Sequence, residues 1–411
     1  MKVNRVKKAS LLAVAVVAGI SSFACADTPL TGFTPGDLAV IRTGDATTPD
    51  TTAITSQVPV YIDEYTVTGS YVGTLAVPQT GANALTLPGS GDDQHQGLLN
   101  VSTNGNFLSF AGYNVNAGTA DANSNASIGK VVGLVSLPGV SVDTTTVVNS
   151  YGAGSSSPYI RGAFTNDGKE FWTFGKYAAS GATSNGGLAY VSGTGPTATT
   201  TTVEGFADWR DIIAVNGQLY GGTGSSSVGN HGPYQIGTGE PTTNLGTSLA
   251  VNMQLGNYSG GQSASALALV DLPGNPNSQN GVNTLYTIGD QSGAGITKYS
   301  YQGSTLGWVN EGSQVSLNAN DAVDPTGLVA DVDPSNPNFV DLAVSGTNGI
   351  YTYIDNTGPT GTIAANAFTE VVSAPTGEQF RGLAAVPEPA SLSLLGLGAC
   401  SLLGRRNRRK A

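Results

Sequence analysis

The chain has almost no cysteine: two in 411 residues, Cys25 and Cys400, one near each end. No framework of paired thiols can therefore staple its middle. Histidine is as scarce, with His95 and His231 alone, so a zinc site of the usual His and Cys type is not expected. Charged residues make up 11% of the chain, against roughly a quarter in ordinary soluble domains. Helical periodicity is missing as well, since no long stretch outside the two ends repeats apolar residues at helix spacing. What fills the space is 57 glycines with much Thr, Ser and Asn, and 39% hydrophobic content gathered in short clusters of Val, Ile, Leu and Tyr. That is too much apolar material for a disordered chain and points to many β-strands.

The ends are unlike the middle. Lys2, Arg5, Lys7 and Lys8 precede an apolar stretch from Ala9 to Ile20, and small residues close it at Ala24-Cys25-Ala26. Charged head, apolar middle and A-x-A close are the parts of a secretory signal peptide, which puts cleavage between Ala26 and Asp27. A permanent membrane helix needs roughly 20 apolar residues, more than this run supplies. A lipoprotein reading of Cys25 is the minor alternative, with Ser22 and Phe23 poor company for it. At the far end Pro387, Glu388 and Pro389 lead into 14 mostly apolar residues from Ala390 to Leu403, then Arg405, Arg406, Arg408, Arg409 and Lys410. Such a segment would rise only about 21 Å as a helix against a hydrocarbon core of about 30 Å. It is a poor permanent anchor, but its basic cluster resists translocation and would hold an exported chain at the membrane for a time.

Pro-Glu-Pro, a Gly- and Leu-rich apolar segment and an Arg-rich end, on a chain that opens with a signal peptide, resemble the PEP-CTERM sorting tail of Gram-negative and related bacteria. The resemblance covers residues 386–411. It implies recognition by exosortase, a membrane-embedded cysteine-dependent processing enzyme, and removal of the tail as the protein reaches the cell surface or its exopolysaccharide matrix. The expected organisation is a signal peptide over 1–26, one repetitive domain over 27–386 and a sorting tail over 387–411.

Removing both ends changes the chemistry. Of the 17 Lys and Arg, four precede residue 27 and five follow residue 386, whereas Glu388 is the only one of 28 Asp and Glu in those segments. The expected mature domain keeps eight bases against 27 acids, a net charge near −19. It repels phosphate backbones and anionic membrane surfaces, so nucleic acid is not an expected partner. Neither cysteine remains, and stability must come from a packed core, which this length allows.

That core is built from repeats. Six apolar segments share a shape: HQGLLNVS (95–102), YIRGAFT (159–165), WRDIIAV (209–215), ASALALV (264–270), TGLVADV (326–332) and FRGLAAV (380–386). Taking Gly97, Gly162, Asp211, Ala266, Gly327 and Gly382 as equivalent, the spacings are 65, 49, 55, 61 and 55 residues. After each of the first five come three more strand-like runs, with Asn-Gly or Asp-Gly turns suited to antiparallel hairpins in several. Four antiparallel strands per unit is the blade pattern of a β-propeller. Residues 38–77 read as second, third and fourth strands lacking a first, and FRGLAAV reads as a first strand lacking the rest. Joining them completes a sixth blade and removes the exposed edges of an open ring. An all-β fold of six blades is therefore expected, with seven blades, a β-sandwich or a β-helix as alternatives.

Candidate chemistry is sparse. His95 lies beside Asp92 and Asp93 in GDDQHQG, where a solvated loop explains the cluster as well as a hard-cation or acid-base site does. Asp331, Asp333 and Asp341 in DVDPSNPNFVD offer oxygen ligands for calcium, but Pro at two interior positions favours a turn. GTGEP and GSGDD lack the strand-to-helix context of phosphate loops, and no G-x-S-x-G elbow occurs. Asp208, Trp209, Arg210 and Asp211 would suit a sugar, yet Arg161, Arg210 and Arg381 recur at one place in the repeat, which suggests ion pairs between blades. Trp172, Trp209 and Trp308 are expected to pack within strands. No catalytic residue, cofactor or metal is assigned.

The functional expectation is an exported surface or matrix protein acting as a structural or binding module. Its expected partners are the processing enzyme, extracellular polysaccharide and, transiently, the membrane. The rival is a hydrolase or lyase acting on sugars or lactones, with carboxylates and calcium at the propeller mouth. Propellers host both roles, so fold does not choose.

Overall fold

Short apolar runs punctuated by turn-forming Gly and Asn build strands of two to eight residues and little else. The computed structural model describes residues 27–388, apart from 52, 91–94, 121, 124, 126, 152–158, 177–185, 206, 225–230, 247–252, 256–262, 290–294, 314–323 and 364–367. Among these residues the one helical element is a single 3-10 turn, Gly195–Thr197.

The strands form six four-stranded antiparallel sheets arranged as a ring, a β-propeller. Blade 2 runs from the innermost strand Asn100–Val101 through Phe107–Tyr113 and Lys130–Ser136 to Val142–Val148. Blades 3 to 6 follow the same order, with innermost strands Ile160–Phe164, Trp209–Val215, Ala264–Val270 and Pro325–Val332. Blade 1 is composite. Leu38–Thr43, Val60–Tyr65 and Tyr71–Ala76 come from the start of the chain, and the innermost strand is Gln379–Ala385 from its end. Leu38 faces Ala385 and Val40 faces Leu383 in that closing pair, which is the closure expected from the sequence.

One expected strand is shorter than its sequence suggests. HQGLLNVS contributes only Asn100–Val101 to its blade, because Gly97 turns at φ +90° and the Gly97 and Leu98 N–H groups donate to Arg161 O of blade 3 instead. In blade 4 the outermost strand is Met253–Gln254, and residues 247–252 before it lie outside the described residues. Of the Asn-Gly turns, Asn216-Gly217 has both residues at positive φ between paired Val215 and Gln218, the two-residue hairpin form that requires such residues.

Packing between blades is apolar. Trp172, Phe174, Trp209, Ile212 and Tyr234 fill the interface of blades 3 and 4, and Ile41, Ile62, Leu87, Phe110 and Val131 fill that of blades 1 and 2. Each such fully buried side chain stabilises by about 1.5–3 kcal/mol.

The innermost strands carry a second regularity. In five blades the register slips by one residue near the start, at Arg161, Arg210, Ser265, Thr326 and Arg381. An extra residue of this kind bends the strand and re-aims its side chain. Beside these bulges the backbones nearly touch. A Cβ on Gly382 would stand 2.1 Å from Leu99 N, and one on Gly327 2.5 Å from Leu383 N. Glycine is required there by contact.

The bulge arginines are stapled across the ring. Arg381 is fully buried and donates to Asp50 Oδ2 (3.0 Å), Pro88 O (2.8 Å) and Gln96 O (3.3 Å). Arg161 donates to Asp208 Oδ1 and His95 O, and Arg210 reaches Asp208 Oδ2 at 3.2 Å. Of the ion pairs expected between blades, Arg161–Asp208 joins blades 3 and 4, whereas Arg210–Asp208 and Arg381–Asp50 lie within blades 4 and 1. Replacing Arg381 by Ala strands the Asp50 carboxylate in a water-free site, so R381A should lose about 3–5 kcal/mol. The more exposed R210A should lose far less. Equilibrium denaturation in urea checks both.

Candidate binding channel

Because all six innermost strands run in one direction, the ring has two distinct faces. The bulge arginines mark the face where these strands begin, and Val332, Ala385 and the sorting motif mark the face where they end. Between the faces lies a central cavity of about 830 Å³. Its wall is mainly the edges of innermost strands, with Leu98, Ile213, Leu267, Val329 and Leu383 contributing apolar surface and Gly and Ala filling the gaps. Among the described residues Asn100 is the one neutral polar side chain in that wall, the acidic ones are Asp211, Asp331, Asp341 and Glu388, and no Lys, Arg, Ser or Thr lines it.

Asp211 stands at the bulge level, where the other blades place Gly or Ala. Its carboxylate is nearly buried and accepts the Leu267 N–H of blade 5 at 3.1 Å through Oδ2. Burial pushes its pKa up to about 7, against the backbone donations from Leu267 and Ile212 that favour the ionised form. Asp331 and Asp341 sit directly opposite each other in the blade 6 pairing, on the rim of the tail face. Loss of water raises both, and the Asp341 charge raises Asp331 further. Beside them a smaller hollow of about 290 Å³ is lined by Leu38, Val67, Val329 and Ile354, of which Val67 and Ile354 are exposed.

The other sequence candidates fall elsewhere. Trp209 is fully buried with its Nε1–H on Glu204 Oε2 at 2.6 Å, so it offers no ring face to a sugar. Trp172 donates to Pro241 O, and Trp308 is half-buried against Tyr301. Asp333 is spent on its own turn, accepting from Ser335 N–H and Oγ, away from any shared ligand with Asp331. Among the described residues no group of three or more His, Cys, Asp or Glu is placed to hold a metal ion. Asp92 and Asp93 lie outside the described residues, as do Ala24, Ala26, Pro389, Arg405, Arg406, Arg408, Arg409 and Lys410. Asp27 is described, and its carboxylate meets Arg42 Nη2 at 2.9 Å. Asp211 was grouped in sequence with Trp209 and Arg210 around a sugar, but the channel separates it from both. Alignment of the six repeat segments already held the clue, since only blade 4 has a carboxylate at that column.

Among the described residues Val386 is the last whose backbone is hydrogen-bonded to the body of the fold: its N–H donates to Asp37 O and its O accepts from Gly36 N–H. Pro387 lies against Gly105, and Glu388 reaches solvent. Residues 385–410 match the family model of the PEP-CTERM protein-sorting motif. The chain carries a PEP-CTERM sorting tail. That tail marks an exported protein sorted to the cell envelope, and here it departs from a closed propeller. No curated protein matches the chain. Among solved structures it is similar to a putative 6-phosphogluconolactonase from Bacteroides uniformis, at 15% identity over 83% of each chain with a TM-score of 0.39. A second putative 6-phosphogluconolactonase, from Bacteroides fragilis, is similar at 11% identity over 85% of this chain and 98% of that one, TM-score 0.42. The β-propeller domain of Cps50 (Swd1) from Myceliophteria thermophila is similar at 10% over 86% and 98%, TM-score 0.39. The activities in those names belong to those proteins.

Asp211 also sets a pH dependence. Its pKa is 3.8 in the free side chain and about 7 in the ring, so between these values the folded state holds a proton that the unfolded chain has released. Stability from this group therefore falls as pH rises through that window, by at most about 4 kcal/mol. Asp211→Asn keeps an acceptor for the Leu267 N–H and has no charge to desolvate. It should raise the melting temperature at pH 8 and change it little at pH 5, by calorimetry at the two pH values.

Proposed function

We propose that the protein is a binding module exported to the cell surface or its extracellular matrix. Its signal peptide is removed between Ala26 and Asp27, its tail holds it briefly at the membrane, and an exosortase-type enzyme then releases a complete ring. The observation that carries this reading is the position of the tail. The closing strand ends at Ala385 and, among the described residues, the last backbone hydrogen bonds are those of Val386, so a cut beyond the motif leaves the closing strand pair intact. The acidic exterior suits a hydrated polysaccharide environment. A binding role is preferred to a hydrolase or lyase because the channel wall is mainly apolar, and its four carboxyl groups, Asp211, Asp331, Asp341 and Glu388, form no group of three placed to hold a cation among the described residues.

Mass spectrometry of protein recovered from cells and medium tests the processing. The expected product starts at Asp27 and lacks the apolar and Arg-rich segments, and changing Pro387, Glu388 and Pro389 to Ala should leave the longer form in the membrane fraction. Intact termini on the recovered protein would sink the proposal. A chain ending at Glu388 should also melt at the same temperature as the full one, whereas a chain ending at Ser373 lacks the closing strand and should not fold.

A further inference from the structure

The wall of the central cavity restricts what it can hold. A saccharide needs many hydrogen-bond partners, yet among the described residues Asn100 is the only neutral polar side chain there. Anions meet four carboxyl groups and, among the same residues, no base. An uncharged apolar ligand has no use for Asp211, whose burial is unfavourable for a carboxylate. An amide at that column would satisfy the Leu267 N–H without a charge. The cavity thus joins an apolar middle to acidic groups, and a carboxylate with about four lone-pair sites keeps capacity for a further donor after accepting from Leu267.

The acids lie at two levels. Gly327 is the blade 6 residue at the level of Asp211, and Asp331 follows it by four residues on the same strand, a rise of roughly 13 Å. Asp331 and Asp341 form the rim at that second level. We infer that the channel binds a linear aliphatic polyamine, an extended methylene chain with an ammonium group near Asp211 and another at the Asp331 and Asp341 rim. The methylenes lie against Leu267, Val329 and Leu383, and no bond is made or broken. The strongly acidic domain raises the local concentration of such a cation. This rests on the binding-module reading and adds to it the chemical class of the ligand.

Calorimetric titration at pH 8 with spermidine as probe tests it, using the domain from Asp27 to Glu388. The expected result is one bound spermidine per chain, with at least tenfold weaker binding in Asp211→Asn and in the double variant Asp331→Asn, Asp341→Asn. The uncharged 1,8-octanediol should not bind measurably. Ala268→Trp, which fills the channel, should abolish binding while retaining a cooperative melt. Unchanged affinity in D211N, or binding that survives A268W, means that spermidine only collects on the acidic exterior and overturns the inference. Binding of octanediol that A268W abolishes also overturns it, but leaves a channel-binding module standing. Absence of spermidine binding from a correctly processed protein removes the ligand class alone, because processing is read separately by mass.

Discussion

The pairing of Leu38–Thr43 with Gln379–Ala385 is the constraint on which the rest depends. Five blades are each continuous in sequence and pack against their neighbours through apolar faces. A ring of such units has no stable end: an open stack would leave a blade face bare and an inner strand unpaired. Bringing together segments more than 330 residues apart costs loop-closure entropy, which grows only slowly with chain length. One antiparallel strand pair then secures both ends at once. Arg42 adds to the same seam, since it binds Asp63 in its own blade, Glu378 just before the closing strand and Asp27 at the other end of the described chain.

Closure brings the six innermost strands within van der Waals distance, and the bulges follow from that crowding. A regular strand would point a side chain at the adjacent backbone, where Gly382 and Gly327 show that no Cβ fits. Slipping one residue turns that side chain away from the channel, and where it is arginine it finds carboxylates and carbonyls: Asp208 for Arg161 and Arg210, and Asp50, Pro88 O and Gln96 O for Arg381. Arg161, Arg210 and Arg381 are therefore consequences of ring geometry, and their recurrence reflects architecture. Asp211 breaks the pattern. At its interface a close backbone approach falls instead to Gly222, whose absent Cβ would stand 2.3 Å from Ala264 O, and the Asp211 carboxylate takes the Leu267 N–H.

Most of the fold was legible in the sequence because it rests on local and repeated signals. Alternating clusters such as GIYTYID and NFVDLAVSG mark strands without reference to anything distant, and the orphan strand at each end of the repeat array implied how the ring shuts. What could not be read depends on neighbours in space. That Gly97 would leave its own blade to bond Arg161, shortening the first strand of blade 2 to two residues, is decided by the adjacent blade. The channel was illegible for a similar reason. Trp209, Arg210 and Asp211 are contiguous, yet a bulge sends them respectively into the interblade core, toward Asp208 and into the lumen.

The tail and the channel are linked by the direction of the inner strands. All of them end on one face, so the closing strand must deliver Pro387 and Glu388 to the mouth of the cavity, and both residues line it. The sorting tail therefore leaves the propeller from the face whose rim holds Asp331 and Asp341. The strand that completes the propeller is thus also the one that carries the sorting motif to the mouth of the channel, so ring closure fixes on which face the tail begins.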